Sequence, residues 1–299
     1  MQFGSPHACA PAAKPGGRYY RPGSLAEAVE LLAADPWTVV AGCTVYYLNP
    51  GNRPETDWIL DISGLTEIGG IAVDTGGVRI GAAVTWSSIA KALLPPACRA
   101  LQDAANSVGS VQIRNTGTLG GNLAGAASTA DGVPPLLVLD AMIELRAATG
   151  TRTVPIADFI LGNRRTAKRP DELVSAVLVP LPAAARCAST YLKFAARSSQ
   201  GPAIVTVAAR LGLDAAGSID QAAVAVGACS PTPQRLVSLQ RRLIGVEPTT
   251  QPLAALLDPE VDLAVLSPTS DVRVTAAYRL DAAATLIRRV LTRLAAEIP

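Results

Sequence analysis

The sequence predicts an α+β fold in two segments, and three observations carry that expectation. Short β-branched runs closed by glycine or proline are interleaved with amphipathic helical stretches. Pro180 and Pro182, followed by Ala183 to Ala185, interrupt the pattern and mark a boundary near residues 182–188. With 299 residues, 49% apolar and only 17% charged, the chain can fill more than one core and is not a disordered sequence.

From the N-terminus, residues 1–18 read as a disordered leader. They lack the charged start and apolar stretch of a secretory signal. Order is expected from Tyr19. Ser24 and Glu27 have the S-x-x-E spacing of a capping box, opening a helix through Ala26, Val29 and Leu32 that Pro36 stops. Trp37 to Ala41, β-branched at Thr38, Val39 and Val40, reads as a buried strand entering a tight turn at Gly42. Asp57 to Ile62 and Gly77 to Ala82 are further strands, and Thr85 starts a helix that breaks at Pro95-Pro96. Leu101 to Asn122 is rich in Gly, Ser and Asn, too apolar for a linker and too glycine-rich for a packed helix. Met142 to Ala147 and Glu172 to Val179 read as strands. In the second segment Thr190 to Ala195, Ala203 to Leu213 and Ala222 to Gly227 form strands, with Asp214 to Gly217 as a hairpin turn. Helices follow over Gln234 to Leu243, around Leu253 to Leu257, and from Ala276. In the last, Leu280, Ala284, Ile287, Leu291, Leu294 and Ile298 keep a helical period.

Composition narrows the function. A net charge of +2 gives no electrostatic footprint for nucleic acid or an anionic membrane, and 4% aromatics gives no stacking platform. The single histidine, His7, lies in the leader, which removes catalytic triads and histidine zinc sites. Cys9, Cys43, Cys98, Cys187 and Cys229 are widely spaced with no C-x-x-C pair. Neither a zinc site, an iron–sulfur cluster nor a disulfide framework is expected in this chain, and a cytoplasmic, reducing compartment is. No apolar run reaches the ~18–20 residues of a membrane span.

Two glycine-bearing turns stand out. Ala41-Gly42-Cys43-Thr44 follows a buried strand, and Thr118-Leu119-Gly120-Gly121-Asn122 closes the glycine-rich stretch. Successive N–H groups in such turns form a nest for anionic oxygens, and glycine lets the backbone approach without a Cβ clash. Thr44, Thr118 and Asn122 add side-chain donors. The first turn alone reads as architecture as readily as a site; the second is harder to explain by folding. Neither is a G-x-x-x-x-G-K-[ST] loop nor a G-x-G-x-x-G fingerprint, so a Rossmann fold has no support.

The runs Val39-Val-Ala-Gly-Cys-Thr44, Ile80-Gly-Ala-Ala-Val-Thr85 and Val108-Gly-Ser-Val-Gln-Ile-Arg-Asn-Thr-Gly-Thr-Leu-Gly-Gly-Asn-Leu123 resemble the FAD-binding medium subunit of molybdenum hydroxylases. That family includes carbon monoxide, xanthine and related dehydrogenases. The likeness continues through Ala130-Asp131-Gly-Val-Pro-Pro-Leu-Leu-Val-Leu-Asp140, Pro170-Asp-Glu-Leu173, Pro268-Thr-Ser-Asp-Val-Arg273 and Tyr278-Arg279. It implies an FAD-binding region of the vanillyl-alcohol-oxidase (PCMH) type, itself two subdomains, over residues 19–185. It also implies a C-terminal α+β domain with a small antiparallel sheet over residues 186–299. By position, Val39, Val40, Ala41, Gly42, Cys43, Thr44, Val45 and Tyr46 would cradle the FAD pyrophosphate with Thr118, Leu119, Gly120, Gly121 and Asn122. Val108, with Gly109 beside it, would lie against the isoalloxazine. Asp131 would hydrogen-bond the cofactor near its ribose or adenine, Leu173 or Val174 would pack on the adenine end, and Lys193 would lie near the flavin. Each has a plainer structural reading: a cap for Asp131, a strand-face cation for Lys193, core packing for Val108 and Leu173.

The chain departs from the family where a second glycine is usual. Cys43 stands there, which demands a negative φ or strain of roughly 1–3 kcal/mol. Val45 and Tyr46 replace positions usually polar or acidic, and no cysteine cluster is inserted for an additional iron–sulfur centre. The resemblance implies an electron-transfer subunit in a dimer of heterotrimers. A large partner would hold the molybdenum cofactor and a small one the iron–sulfur clusters. FAD in this chain would pass electrons to NAD, oxygen, a quinone or another acceptor. The alternatives are a stand-alone flavin oxidase, which needs a substrate-side base, and an FAD-less scaffold subunit of the same complex.

Overall fold

The S-x-x-E signal folds as its spacing predicts. Ser24 Oγ accepts from the Glu27 amide at 3.2 Å, Glu27 reaches back to the Gly23 amide at 2.6 Å, and helix α1 (Leu25–Ala34) follows. The computed structural model describes residues 17–46, 58–181, 186–197 and 201–298. Leader residues 1–16 and boundary residues 182–185 lie outside the described residues. Strand β1 (Arg18–Tyr20) precedes α1; β2 (Thr38–Val40) and β3 (Trp58–Asp61) follow it, forming a parallel sheet in the order β1-β3-β2. The apolar stripe Ala28, Val29 and Leu32 covers this sheet and meets Leu60, Ile62 and Leu173.

An antiparallel sheet comes next, built from β4 (Ile71–Asp74), β5 (Gly77–Gly81), β6 (Met142–Ala147), β7 (Gly150–Pro155) and β10 (Leu173–Pro180), in the order β4-β5-β10-β6-β7. Between β5 and β6 run helices α2 (Trp86–Lys91), α3 (Arg99–Ser107), α4 (Val111–Thr116), α5 (Leu119–Gly125) and α6 (Val133–Val138). Between β7 and β10 lie the short helix α7 (Ile156–Phe159) and the hairpin β8 (Ile160–Gly162) and β9 (Arg165–Thr166). Glu172, fully buried at the entry to β10, accepts from Arg152 at 2.7 and 2.9 Å and from Arg169 at 3.0 Å. The Arg152 hydrogen bonds pull its carboxyl down to about 2 against the opposing effect of burial.

The C-terminal segment forms a second antiparallel sheet from β11 (Arg186–Ala195), β12 (Ala203–Leu213), β13 (Ile219–Gly227) and β14 (Gln234–Arg235), in chain order. Helices α8 (Val237–Leu243), α9 (Pro259–Asp262) and α10 (Ala276–Glu297) follow. Every residue of β12 is buried, because both faces of this sheet are covered. Val205, Val207, Ala209 and Leu211 meet the apolar side of α10. Tyr191, Ala208, Ala223 and Ala225 close the core that also holds α3 and α6. Asp140 joins the segments by accepting from Arg210 at 2.8 Å and Arg235 at 2.6 Å.

Three expectations need correction. The stretch from Leu101 to Asn122 is mostly helical, in α3, α4 and α5. Its glycines serve close approach: a Cβ on Gly120 would lie 2.6 Å from that of Ala82. The helix expected from Gln234 starts at Val237, since Gln234 and Arg235 pair with Val226 and Ala225. The helix opened by Thr85 stops at Lys91, where Ala92 turns extended, and the prolines behind it open a 3-10 turn instead.

Candidate cofactor-binding site

The two glycine turns, far apart in sequence, touch main chain to main chain. A Cβ on Gly42 would stand 1.7 Å from the Thr116 carbonyl oxygen and 3.0 Å from the Gly117 amide nitrogen. Only glycine allows that approach. On its other side the second turn is joined to the β5–α2 connection. The Trp86 amide donates to Gly117 O at 3.1 Å, Leu119 to Val84 O at 3.0 Å and Gly120 to Ala82 O at 2.8 Å. Thr118 caps α5, its Oγ1 accepting from the Gly121 amide at 3.1 Å. A cleft of about 400 Å³ opens beside it, lined by Gly69, Gly70, Ile71, Ala83, Val84, Thr85 and Ser88.

The surface this leaves is bare backbone. Among the described residues, the amides of Gly42, Thr44 and Val45 donate to no protein acceptor. Gly121 is exposed, and a Cβ there would meet only the hydroxyl of its own cap, Thr118. Unpaired amides of this kind suit anionic oxygens without any charged side chain.

Farther along sits a buried ion pair. Lys193 Nζ donates to Asp131 Oδ2 at 2.8 Å and to Ser107 O at 3.2 Å, and Tyr191 Oη donates to Asp131 Oδ1 at 2.7 Å. Burial pushes the Asp131 carboxyl up, with the Lys193 charge acting against it; burial also raises the Tyr191 phenol well above its ordinary value. The sequence reading sets Asp131 by the ribose or adenine and Lys193 by the flavin, yet the two form one centre. Asn122 Oδ1 accepts from the Gly132 amide at 3.3 Å and so joins the second turn to the Asp131 loop. Val108 is the C-cap of α3, directly after Ser107, and is 8% exposed. Leu173 packs in the core around α1, and Val174 packs in the central core that also holds Val108 and Tyr191. The sequence reading missed Tyr191. Tyr191 stands two residues before Lys193 on β11, the spacing that puts both on one face of a strand.

Comparison with known proteins bears on this arrangement directly. Residues 13–182 match the family described as "FAD binding domain in molybdopterin dehydrogenase", and residues 190–294 match "CO dehydrogenase flavoprotein C-terminal domain". The chain belongs to the molybdopterin-dehydrogenase FAD-binding family. It is 30% identical over 282 residues to the xanthine dehydrogenase FAD-binding subunit of Escherichia coli O157:H7, covering 92% of this chain and 94% of that one. It is 32% identical to the nicotinate dehydrogenase FAD-subunit of Eubacterium barkeri, covering 80% and 83%. Among solved structures, carbon monoxide dehydrogenase from Hydrogenophaga pseudoflava superposes with a TM-score of 0.85 at 26% identity, covering 95% of this chain and 99% of that one. Quinoline 2-oxidoreductase from Pseudomonas putida 86 gives 0.83 at 26% identity, covering 94% and 98%. This family member is thus an oxidoreductase chain whose cofactor is FAD. The bare amides of the first turn and the open side of Gly121 fit a diphosphate.

At Cys43, where the sequence reading expects glycine from the resemblance, the structure shows the strained alternative: its φ is +55°. A left-handed side chain costs about 1–2 kcal/mol, and a glycine there loses about 0.5–1 kcal/mol of chain entropy on folding. Cys43→Gly is therefore expected to raise stability by about 1 kcal/mol or less. A thermal unfolding midpoint at or below that of the parent chain would contradict the strain.

Proposed function

We propose that this chain is the electron-transfer flavoprotein subunit of a molybdenum hydroxylase complex. FAD supplies two-electron storage and one-electron exchange when bound. The chain's own residues grip, orient and insulate it. The amides of Gly42, Thr44 and Val45, with the open backbone at Gly121, take the pyrophosphate. The Asp131–Lys193–Tyr191 centre and Val108 bound the flavin end. The contact of Gly42 with Thr116 carries this reading, since it closes two remote turns into one cradle.

In the complex, a large subunit with the molybdenum cofactor hydroxylates substrate and a small iron–sulfur subunit delivers electrons to this chain, in a dimer of heterotrimers in the cytoplasm. NAD, oxygen, a quinone or another acceptor removes them. The name "medium chain" carried by the Hydrogenophaga carbon monoxide dehydrogenase relative supports such an assembly. Among the described residues no helix is long and apolar enough to cross a membrane.

Gly121→Val tests the cradle. The added carbon would meet only the Thr118 hydroxyl, at 2.9 Å, a side-chain atom that can turn aside at the cost of one cap hydrogen bond, so far-UV circular dichroism should stay close to the parent while bound flavin absorbance is lost. Undiminished flavin in that variant refutes the proposed grip.

A further inference from the structure

Three consecutive carbonyls between α3 and α4 are taken by cationic side chains. Lys193 Nζ donates to Ser107 O at 3.2 Å, and Arg114 Nη1 donates to Val108 O at 3.1 Å and Gly109 O at 2.8 Å. Carbonyls at a helix end have no partner within the helix, so something else must satisfy them. Gly109 lies at φ +43°, and a Cβ there would come within 2.9 Å of Ile113 Cγ2, so the loop is folded tightly onto α4. Among the described residues, the side-chain hydrogen bonds of Arg114 go to these two carbonyls, while its amide donates to Ser110 O at 3.0 Å as part of α4.

We propose that Arg114 is a positioning residue for the flavin ring, acting through the Ser107–Gly109 loop. The inference rests on the reading above that Val108 faces the isoalloxazine. One guanidinium nitrogen bridges two successive carbonyls and thereby fixes the peptide planes on either side of Gly109, which set the direction in which Val108 is presented. Lysine keeps the charge but is a compact ammonium on a different stem, so it replaces this bridge only in part. Arg114 lies outside the pyrophosphate cradle, so its loss should disturb the ring environment and leave the grip intact.

The test compares the full chain, reconstituted with FAD, with its Arg114→Met and Arg114→Lys variants. The Met variant should keep the parent's flavin content. Its visible-region circular dichroism should change, its flavin emission should rise and its midpoint potential should shift, with the Lys variant in between. A Met variant with an unchanged flavin spectrum and potential, altered only in thermal stability, overturns the proposal and leaves Arg114 a structural tie. Loss of FAD from a folded Met variant also overturns it, since the residue would then serve the grip. Should the Met variant fail to fold, an unchanged spectrum and potential in the Lys variant decides against it. A parent chain that takes up no FAD sinks the function reading itself, a failure distinct from that of the loop.

Discussion

Gly42→Ala is expected to abolish FAD binding and to lower the stability of the cofactor-free chain. The added carbon would sit 1.7 Å from the Thr116 carbonyl oxygen and 2.4 Å from its carbon, so the obstacle is backbone, with no flexible side chain to yield. Overpacking costs about 1–3 kcal/mol even where side chains can move, and the upper end or beyond applies here. Relief requires the two turns to separate, which opens the cradle. The measurement pairs flavin content with a thermal melt of the cofactor-free protein. Alanine retained together with full flavin content and an unshifted midpoint would show that the turns do not meet as described. The contrast with Gly121, where the added carbon would meet only the Thr118 side-chain hydroxyl, at 2.9 Å, and no backbone, separates loss of architecture from loss of the binding surface.

Lys193→Met is expected to destabilise the fold by about 3–5 kcal/mol, because it leaves the Asp131 carboxylate buried without its counter-charge. The side chains are only 6% and 10% exposed, so water cannot compensate either one. Lys193→Met with Asp131→Asn should recover most of that loss, since Tyr191 can still donate to the amide oxygen, and the double-mutant cycle gives the coupling. The pH dependence has a definite sign. Burial raises the Asp131 pKa above its unfolded value, and without Lys193 nothing on that side opposes it. The folded single variant therefore binds the proton more tightly than the unfolded chain does, and its stability rises as pH falls. Urea midpoints at neutral and mildly acidic pH check this; a single variant as stable as the parent at both would mean that the pair is not desolvated.

Much of the fold was legible because local signals agreed with it. The Ser24 cap, the largely apolar run of β12 and the Asp214 turn each need only their own segment, and each formed where its residues point. The misreadings have specific causes. Gly120 and Gly121 lower helix propensity, but a Thr118 cap and close packing on Ala82 outweigh it. Val133-Pro134-Pro135 conceals α6, whose prolines occupy the first turn, where a missing amide costs nothing. Strands β4 and β7 went unread although Asp74-Thr75-Gly76-Gly77 and Ala148-Thr149-Gly150 carry hairpin chemistry. At the site, the sequence names the glycine turns but not their contact, because nothing local brings Gly42 to Thr116. The pairing of Asp131 with Lys193 is likewise a product of tertiary docking and is invisible in either segment alone.

The four-stranded sheet is a shared wall: one face closes the interior over α3 and α6, the other the interior under α10. Chimeras that splice the front half of one relative onto the back half of another would inherit walls cut for different rooms. Tyr191 and Lys193 would arrive facing whatever residue that front half offered in place of Asp131, and Arg210 whatever stood for Asp140. Such recombinants should succeed only when those facing residues travel together, which makes the seam between the halves, rather than either half, the unit that engineering must conserve.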